Sequence, residues 1–274
     1  MKRFENSVIE AAYMVSGQPH ILLAHDQSKY WKALYNSYAL IRKEIELIQP
    51  DLILYFSTQW LSVLGYMFQG DPQPEWIHVD ANWHELGDMP YKFKVDQEFA
   101  QVYAEEVSLL GHNTRVVNYK GFPIDTGTIV AQKLLNPDNK FSAAMVSCNM
   151  YSEKEENHNL GQAAARALAK HGKKAVAVVV SNLSHRFEIK DIDPEQDALS
   201  SAKDDEWNRK ILEMFSAGDI EDVSQSTREF AHQANADMGF RGLWWLNGLC
   251  GESNDFTGRV FDYQPVWGTG AALI

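Results

Sequence analysis

Ala175-Val-Ala-Val-Val-Val180 is an unbroken apolar run that turns abruptly polar at Ser181-Asn182-Leu183-Ser184-His185. A strand alternates its side chains between two faces, so a run with no polar member has no face to give to water. It predicts a strand buried on both sides, in a sheet covered by helices above and below. In open α/β sheets, ligands bind outside the carboxyl ends of the strands. His185 therefore stands where an acid/base group belongs. The competing reading of the same residues is a polar loop cap with a hydrogen-bonded histidine.

The rest of the chain repeats this grammar. Trp31, Leu34, Tyr38, Ile41, Ile45 and Ile48 recur at spacings of three and four, which gives one apolar helical stripe. Asp26 or Ser28 can cap its start, and Pro50 stops it. Leu52–Phe56 follows as a short apolar strand and ends in Ser57-Thr58-Gln59-Trp60, a second polar tip. Residues 66–95 lack periodicity and carry Gly70, Pro72, Pro74, Gly87 and Pro90, so a long loop or lid is expected. Within it, adjacent His84 and Glu85 read as surface groups rather than a metal pair. Asp96 caps a helix through about Leu110, which Gly111 closes. Gly121-Phe-Pro-Ile-Asp125-Thr-Gly127-Thr128 is a glycine-containing turn, followed by a short helix to Leu135 and a stop at Pro137. Phe141–Ser147 is a strand, and 153–171 an amphipathic helix ended by Gly172. Residues 187–205 read as a charged loop. Helices are expected over 204–217 and 225–249, then a strand at Arg259–Tyr263 and a tight turn at Gly268-Thr-Gly270. This alternation predicts one α/β domain over residues 1–274, with a central mixed or parallel sheet flanked by helices.

The 274 residues carry a formal net charge of −12, which argues against nucleic acid or an anionic membrane as partner. No apolar stretch reaches the roughly 18 residues of a membrane span. Met1-Lys2-Arg3 is basic, but Glu5 and Glu10 interrupt any signal-like apolar core. Cys148 and Cys250, far apart and outside any CxxC, predict reduced thiols packed in a cytoplasmic protein. The chain has no GxGxxG, no GxxxxGK[ST], no GxSxG and no HExxH. Of nine histidines, only His20 and His185 follow strand-like runs.

Taken together, these stretches resemble the class III extradiol ring-cleavage dioxygenases. The resemblance rests on Gln18-Pro19-His20 after the opening strand, Pro50-Asp51-Leu52-Ile53-Leu54 running into Ser57-Thr58-Gln59-Trp60, and Ile124-Asp125-Thr126-Gly127-Thr128. It continues through Gly172-Lys-Lys-Ala-Val into Ser181-Asn182-Leu183-Ser184-His185, and ends at Gly268-Thr-Gly270. Family members hold Fe(II) with two histidines and a glutamate, leaving positions open for an aromatic substrate and O2. The positions that match those ligands here read Gln18, Gln59 and Asp237, while His185 matches the family's acid/base histidine. Neutral amides are weaker donors than imidazole, and Asp for Glu shortens the reach by about 1.5 Å.

Within the family, the chain is most like the subunits of the 2-aminophenol-cleaving members. These are α2β2 assemblies in which an iron-free α subunit resembles the iron-bearing β subunit. The resemblance thus implies no cofactor and no metal in this chain, Fe(II) in a β partner, and O2-dependent cleavage of 2-aminophenol by the complex. His185, Asn182, Trp60 and Asp125 are expected to line the vestigial cavity. Two alternatives remain open at this point. One is a displaced iron site using His20, Asp237 and His185, since His20 would share a strand face with Gln18. The other is a binding subunit whose cavity retains an aromatic ligand.

Overall fold

The computed structural model describes residues 9–186, 190–251 and 258–274. The first eight residues and 187–189 lie outside the described residues. Part of the N-terminal charge pattern and part of the charged loop fall there. Strands are β1 (Ile9–Val15), β2 (Leu52–Ser62), β3 (Tyr66–Gln69), β4 (Glu75–Val79), β5 (Asp88–Lys92), β6 (Thr114–Val117), β7 (Ser142–Asn149), β8 (Ala175–Val180), β9 (Asp262–Val266) and β10 (Thr269–Leu273). Helices are α1 (Pro19–Leu23), α2 (Lys29–Ile48), α3 (Gln97–Ser108), α4 (Thr126–Leu135), α5 (Lys154–His171), α6 (Ala202–Ala217), α7 (Ile220–Ala234) and α8 (Arg241–Cys250).

Six strands form the central sheet in the order β1-β8-β2-β7-β3-β6. β1, β8, β2 and β7 run parallel, while β3 is antiparallel to β7, so the sheet is mixed. The expected double-sided burial of β8 is what the structure shows. Ala175, Ala177 and Val179 pack toward α5 and α8, and Val176, Val178 and Val180 join α2 and α4 on the other face. Small alanines on the first face suit the close approach of α5 and α8. At Gly161 a Cβ would lie 2.0 Å from the Trp245 carbonyl oxygen, so that helix crossing requires glycine.

The caps expected at Ser28 and Asp96 form, and the structure adds one at Asp125. Ser28 accepts from the Tyr30 N–H, Asp96 from Phe99 and Asp125 from Thr128. Glu153 and Glu156 form a reciprocal capping box on α5, and Gly172 closes it in the left-handed region. Both thiols are free, and burial pushes each up to about 12. No helix among the described residues is long and apolar enough to cross a membrane.

Three expectations are corrected. Residues 66–95 are not one long loop. They hold β3 of the main sheet and a separate antiparallel ribbon, β4 with β5. These strands are four or five residues long, too short for periodicity to emerge from the intervening Pro and Gly. The expected helix 225–249 is broken at 235–240, where Asn235, Met238, Gly239 and Phe240 all have positive φ. The C-terminal strand starts later than expected and forms a hairpin, β9–β10, turning at Trp267 and Gly268.

Candidate functional site

β1, β8 and β2 are adjacent and parallel, so their carboxyl ends share one edge of the sheet. This brings together Ser16-Gly17-Gln18, Ser181–His185 and Ser57–Trp60. The β2 tip is re-aimed by a register shift against β7. Ser57 pairs with Ser147 and Leu61 with Cys148, so residues 58–60 are extra. The 183–185 segment is held on both sides. Leu183 donates to Gly270, Gly270 to Ser184, and His185 to Asn235, each through the main-chain N–H. Asp237 in turn donates its N–H to Leu183. This backbone weave carries Asp237 from the turn before α8 to the strand tips.

The Asp237 carboxylate is buried, with Oδ2 accepting from the Asn182 N–H at 2.8 Å, Thr58 Oγ1 at 3.0 Å and Ser181 Oγ at 3.1 Å. Its Oδ1 lies 3.4 Å from His185 Nδ1. Burial alone would raise this carboxyl, but the His185 ring, the Asn182 N–H and the Thr58 hydroxyl together hold it below its ordinary value. Burial would lower His185, yet the bond and charge of Asp237 hold it above its usual value. Each group thus keeps the other charged. Asn182 is oriented by Ser16, whose hydroxyl donates to Oδ1 at 2.6 Å, and Ser16 is fixed by the Tyr38 hydroxyl on its carbonyl.

On the opposite side of the β2 tip, Gln59 bridges two loops. Its Oε1 accepts from the Gly127 N–H at 2.9 Å, and its Nε2 donates to the Gly17 carbonyl at 3.3 Å. Gly17 and Gly127 make this possible, since a Cβ on Gly17 would sit 2.5 Å from the Gly127 Cα. Asp125 caps α4 through Thr128 and also accepts from Ser57 Oγ at 2.6 Å. Gln18 is buried at the N-terminal boundary of α1. Trp60 is buried near Phe122, and its Nε1 has no hydrogen-bond partner among the described residues.

His20 does not share a strand face with Gln18. Pro19 starts a helix there, so His20 lies in the first turn of α1. Its ring is enclosed by Trp31, Trp83 and Trp267, with centroids 4.8, 4.6 and 5.3 Å away. Burial lowers His20 to about 4, only partly offset by the charge of Asp80. Trp83 comes from the segment after β4, which is latched to α4. Thr126 Oγ1 donates to Asp80 and stands 2.8 Å from His78 Nε2. His84 and Glu85, further along, are exposed as expected. The structure brings His185, Asn182 and Asp237 together and leaves His20 in its tryptophan box. Among the described residues, no three His, Cys, Asp or Glu side chains are arranged to hold a metal ion.

The family profile described as the catalytic LigB subunit of aromatic ring-opening dioxygenase matches residues 11–274. The chain belongs to the LigB family. It is 32% identical over 268 residues to the alpha subunit of 2-aminophenol 1,6-dioxygenase from a Pseudomonas species, covering 97% of this chain and 98% of that one. It is also 25% identical over 287 residues to the beta subunit of 2-aminophenol 1,6-dioxygenase from a Pseudomonas species, covering 98% and 94%. A 3,4-dihydroxyphenylacetate 2,3-dioxygenase from Escherichia coli is 22% identical over 230 residues, 82% of each chain. Among solved structures, an uncharacterized Escherichia coli K12 protein superposes with a TM-score of 0.63 at 12% identity, covering 96% of this chain and 97% of that one. That last likeness shows the shared fold.

Within this LigB-family site, sequence reasoning found His185, Asn182, Asp237 and Gln59. It missed Ser16, Asn235 and the roles of Thr58 and Ser181. Thr58 and Ser181 were visible as members of polar strand tips. Nothing local to Ser16 or Asn235 marks them, because their partners lie 166 and 50 residues away in sequence.

Proposed function

We propose that this chain is the non-catalytic, α-type subunit of a 2-aminophenol-cleaving extradiol dioxygenase. It serves as the structural partner of an iron-bearing β subunit in an α2β2 assembly. The observation that carries this reading is the use made of Gln59. Both ends of its amide are tied to backbone groups of the chain, Gly127 N–H and Gly17 C=O, instead of being held as a metal donor. Asp237, at the third ligand position, spends Oδ2 on four donors and turns Oδ1 toward His185.

These residues do not suit Fe(II). Two neutral amides and an already hydrogen-bonded carboxylate are a poor exchange for two imidazoles and a free glutamate. Changes only in the outer shell of a metal site weaken binding by roughly 10–100-fold. Gln18, Gln59 and Asp237 are therefore vestigial ligand positions, His185 is a vestigial acid/base group, and this chain has no resident cofactor. A displaced site would need His20 to meet Asp237 and His185, and His20 is instead enclosed by three indoles. The similarity to both an alpha and a beta subunit supports a homologous partner of the same fold. In the assembled enzyme, O2-dependent opening of 2-aminophenol to 2-aminomuconic 6-semialdehyde takes place on the β subunit.

The test is iron content per chain, measured with the chain alone and after co-expression with its β partner. About one iron per αβ pair, and none on this chain alone, is the expected result. Stoichiometric iron on the isolated chain, lost on changing His20 or Asp237, would overturn the proposal.

A second reading rests on the retained His185–Asp237 pair, whose two members hold each other charged. In it the strand tips, with His185, Asn182, Trp60 and Asp125 as the expected lining, still receive an aromatic ligand. Saturable binding of 2-aminophenol to the iron-free chain, weakened by His185→Ala, would favour it.

A further inference from the structure

We propose that a second site, between the β4–β5 ribbon and the outer face of α4, binds a small planar carboxylate. The cavity there has a volume of about 270 Å³. That lies just under the roughly 300–1,000 Å³ of drug-sized ligand pockets, and so suits a single ring.

Its shape follows from two periodicities. Ile129, Gln132 and Lys133 lie at i, i+3 and i+4 on α4 and share one face. Tyr91 and Phe93, two residues apart, both turn toward that face, and both line the cavity. Their rings meet edge to face at 5.8 Å and form an aromatic wall. The polar floor is already satisfied within the chain. Gln132 accepts from the Tyr55 hydroxyl at 2.8 Å and donates to Asn136 and Asn139. Asn139 donates to the Lys92 carbonyl at 2.9 Å. Both N–H groups of Gln132 are thus committed within the chain, and Asn139 spends one of its two on the ribbon.

What remains is charge. Lys92 stands opposite Glu75 across the ribbon and pairs with it at 2.8 Å. Lys133 is half-buried and makes no ion pair among the described residues. The cavity therefore offers one uncompensated ammonium beside an aromatic and aliphatic wall. An anion with a flat apolar body satisfies both features. A cation meets repulsion, and a neutral ring forgoes the ion pair.

This site lies away from the strand tips. Lys133 is six residues beyond Gly127, about 9 Å along the helix. The segment joining β4 to β5 carries Asp80, which accepts from Thr126, and Trp83, whose ring meets His20 edge to face. The site stands independently of the subunit reading above.

The experiment is calorimetric titration of benzoate into the full chain, with benzyl alcohol as the neutral probe. Saturable binding of one benzoate per chain is expected. It should weaken at least tenfold in Lys133→Met, and stay within about threefold in Lys133→Arg, which keeps the charge. Lys133 is half-buried at the surface, so both variants should fold, and circular dichroism would check this. Absence of saturable benzoate binding would overturn the proposal. So would benzoate binding of equal strength in wild type and Lys133→Met, or benzyl alcohol binding as tightly as benzoate.

Discussion

His20 and His185 follow neighbouring parallel strands, yet their surroundings drive them in opposite directions. His20 is held neutral by three tryptophans, with its value lowered to about 4. The unfolded chain takes up that proton near 6.5, so the stabilising effect is complete above 6.5 and is lost as pH falls toward 4. The difference corresponds to about 3 kcal/mol. Melting temperature should therefore fall between pH 6.5 and 4 in the wild type, and fall less steeply in His20→Phe. His185 has the reverse sign. Its raised value makes its contribution complete below the ordinary histidine range and lost as pH rises through the folded value. Asp237, held low, contributes above the ordinary carboxyl range and loses its share in stronger acid. Asp237→Asn should lower the His185 pKa, read by NMR titration of the ring protons. Asp237→Ala strands the Asn182 N–H and two hydroxyls, a loss of about 2–4 kcal/mol in urea unfolding.

At the scale of elements, the crossing of α5 and α8 depends on backbone meeting backbone. Gly161→Ala would place a methyl 2.0 Å from the Trp245 carbonyl, and a methyl on Gly248 would meet the His158 carbonyl at the same distance. Separation of the two helices is the only relief. The expected loss is about 1–3 kcal/mol, measured by the shift of the urea midpoint. Elements with a strong period or a clear cap are legible in the residue order. β8 is one, as are α2 with its stripe and Ser28, α3 with Asp96, and α5 with Gly172. Those that failed had no period to read. The ribbon residues of β4 are nearly all exposed, so its sequence carries no alternation. The break at 235–240 is invisible in composition, because Met238 and Phe240 are ordinary helix residues forced to positive φ. Their conformation is set by the pairing of Asn235 and Asp237 with the 183–185 segment, which lies some 50 residues earlier.

For the molecule as a whole, the strand tips are joined by hydrogen bonds that run from α2 through Tyr38, Ser16 and Asn182 to Asp237, and from Gly17 through Gln59 to Gly127. A ligand that binds only the native state raises its stability, so removing a resident metal lowers the melting temperature. Under the proposed function, EDTA should leave the thermal midpoint of this chain unchanged, and added Fe(II) should not raise it. Residue order alone is enough for the α/β class and for the polar tips of β8 and β2, with Gln59 standing in the second of them. These are local properties, written in runs of adjacent residues and in residue type. It takes the folded chain to show that Gln59 spends its amide on two glycine loops, that Asp237 serves His185, and that Pro19 turns His20 into a box of indoles. Each of those depends on groups far apart in the chain. Their pairing is set by how the parallel strands order themselves, and no local pattern records that order.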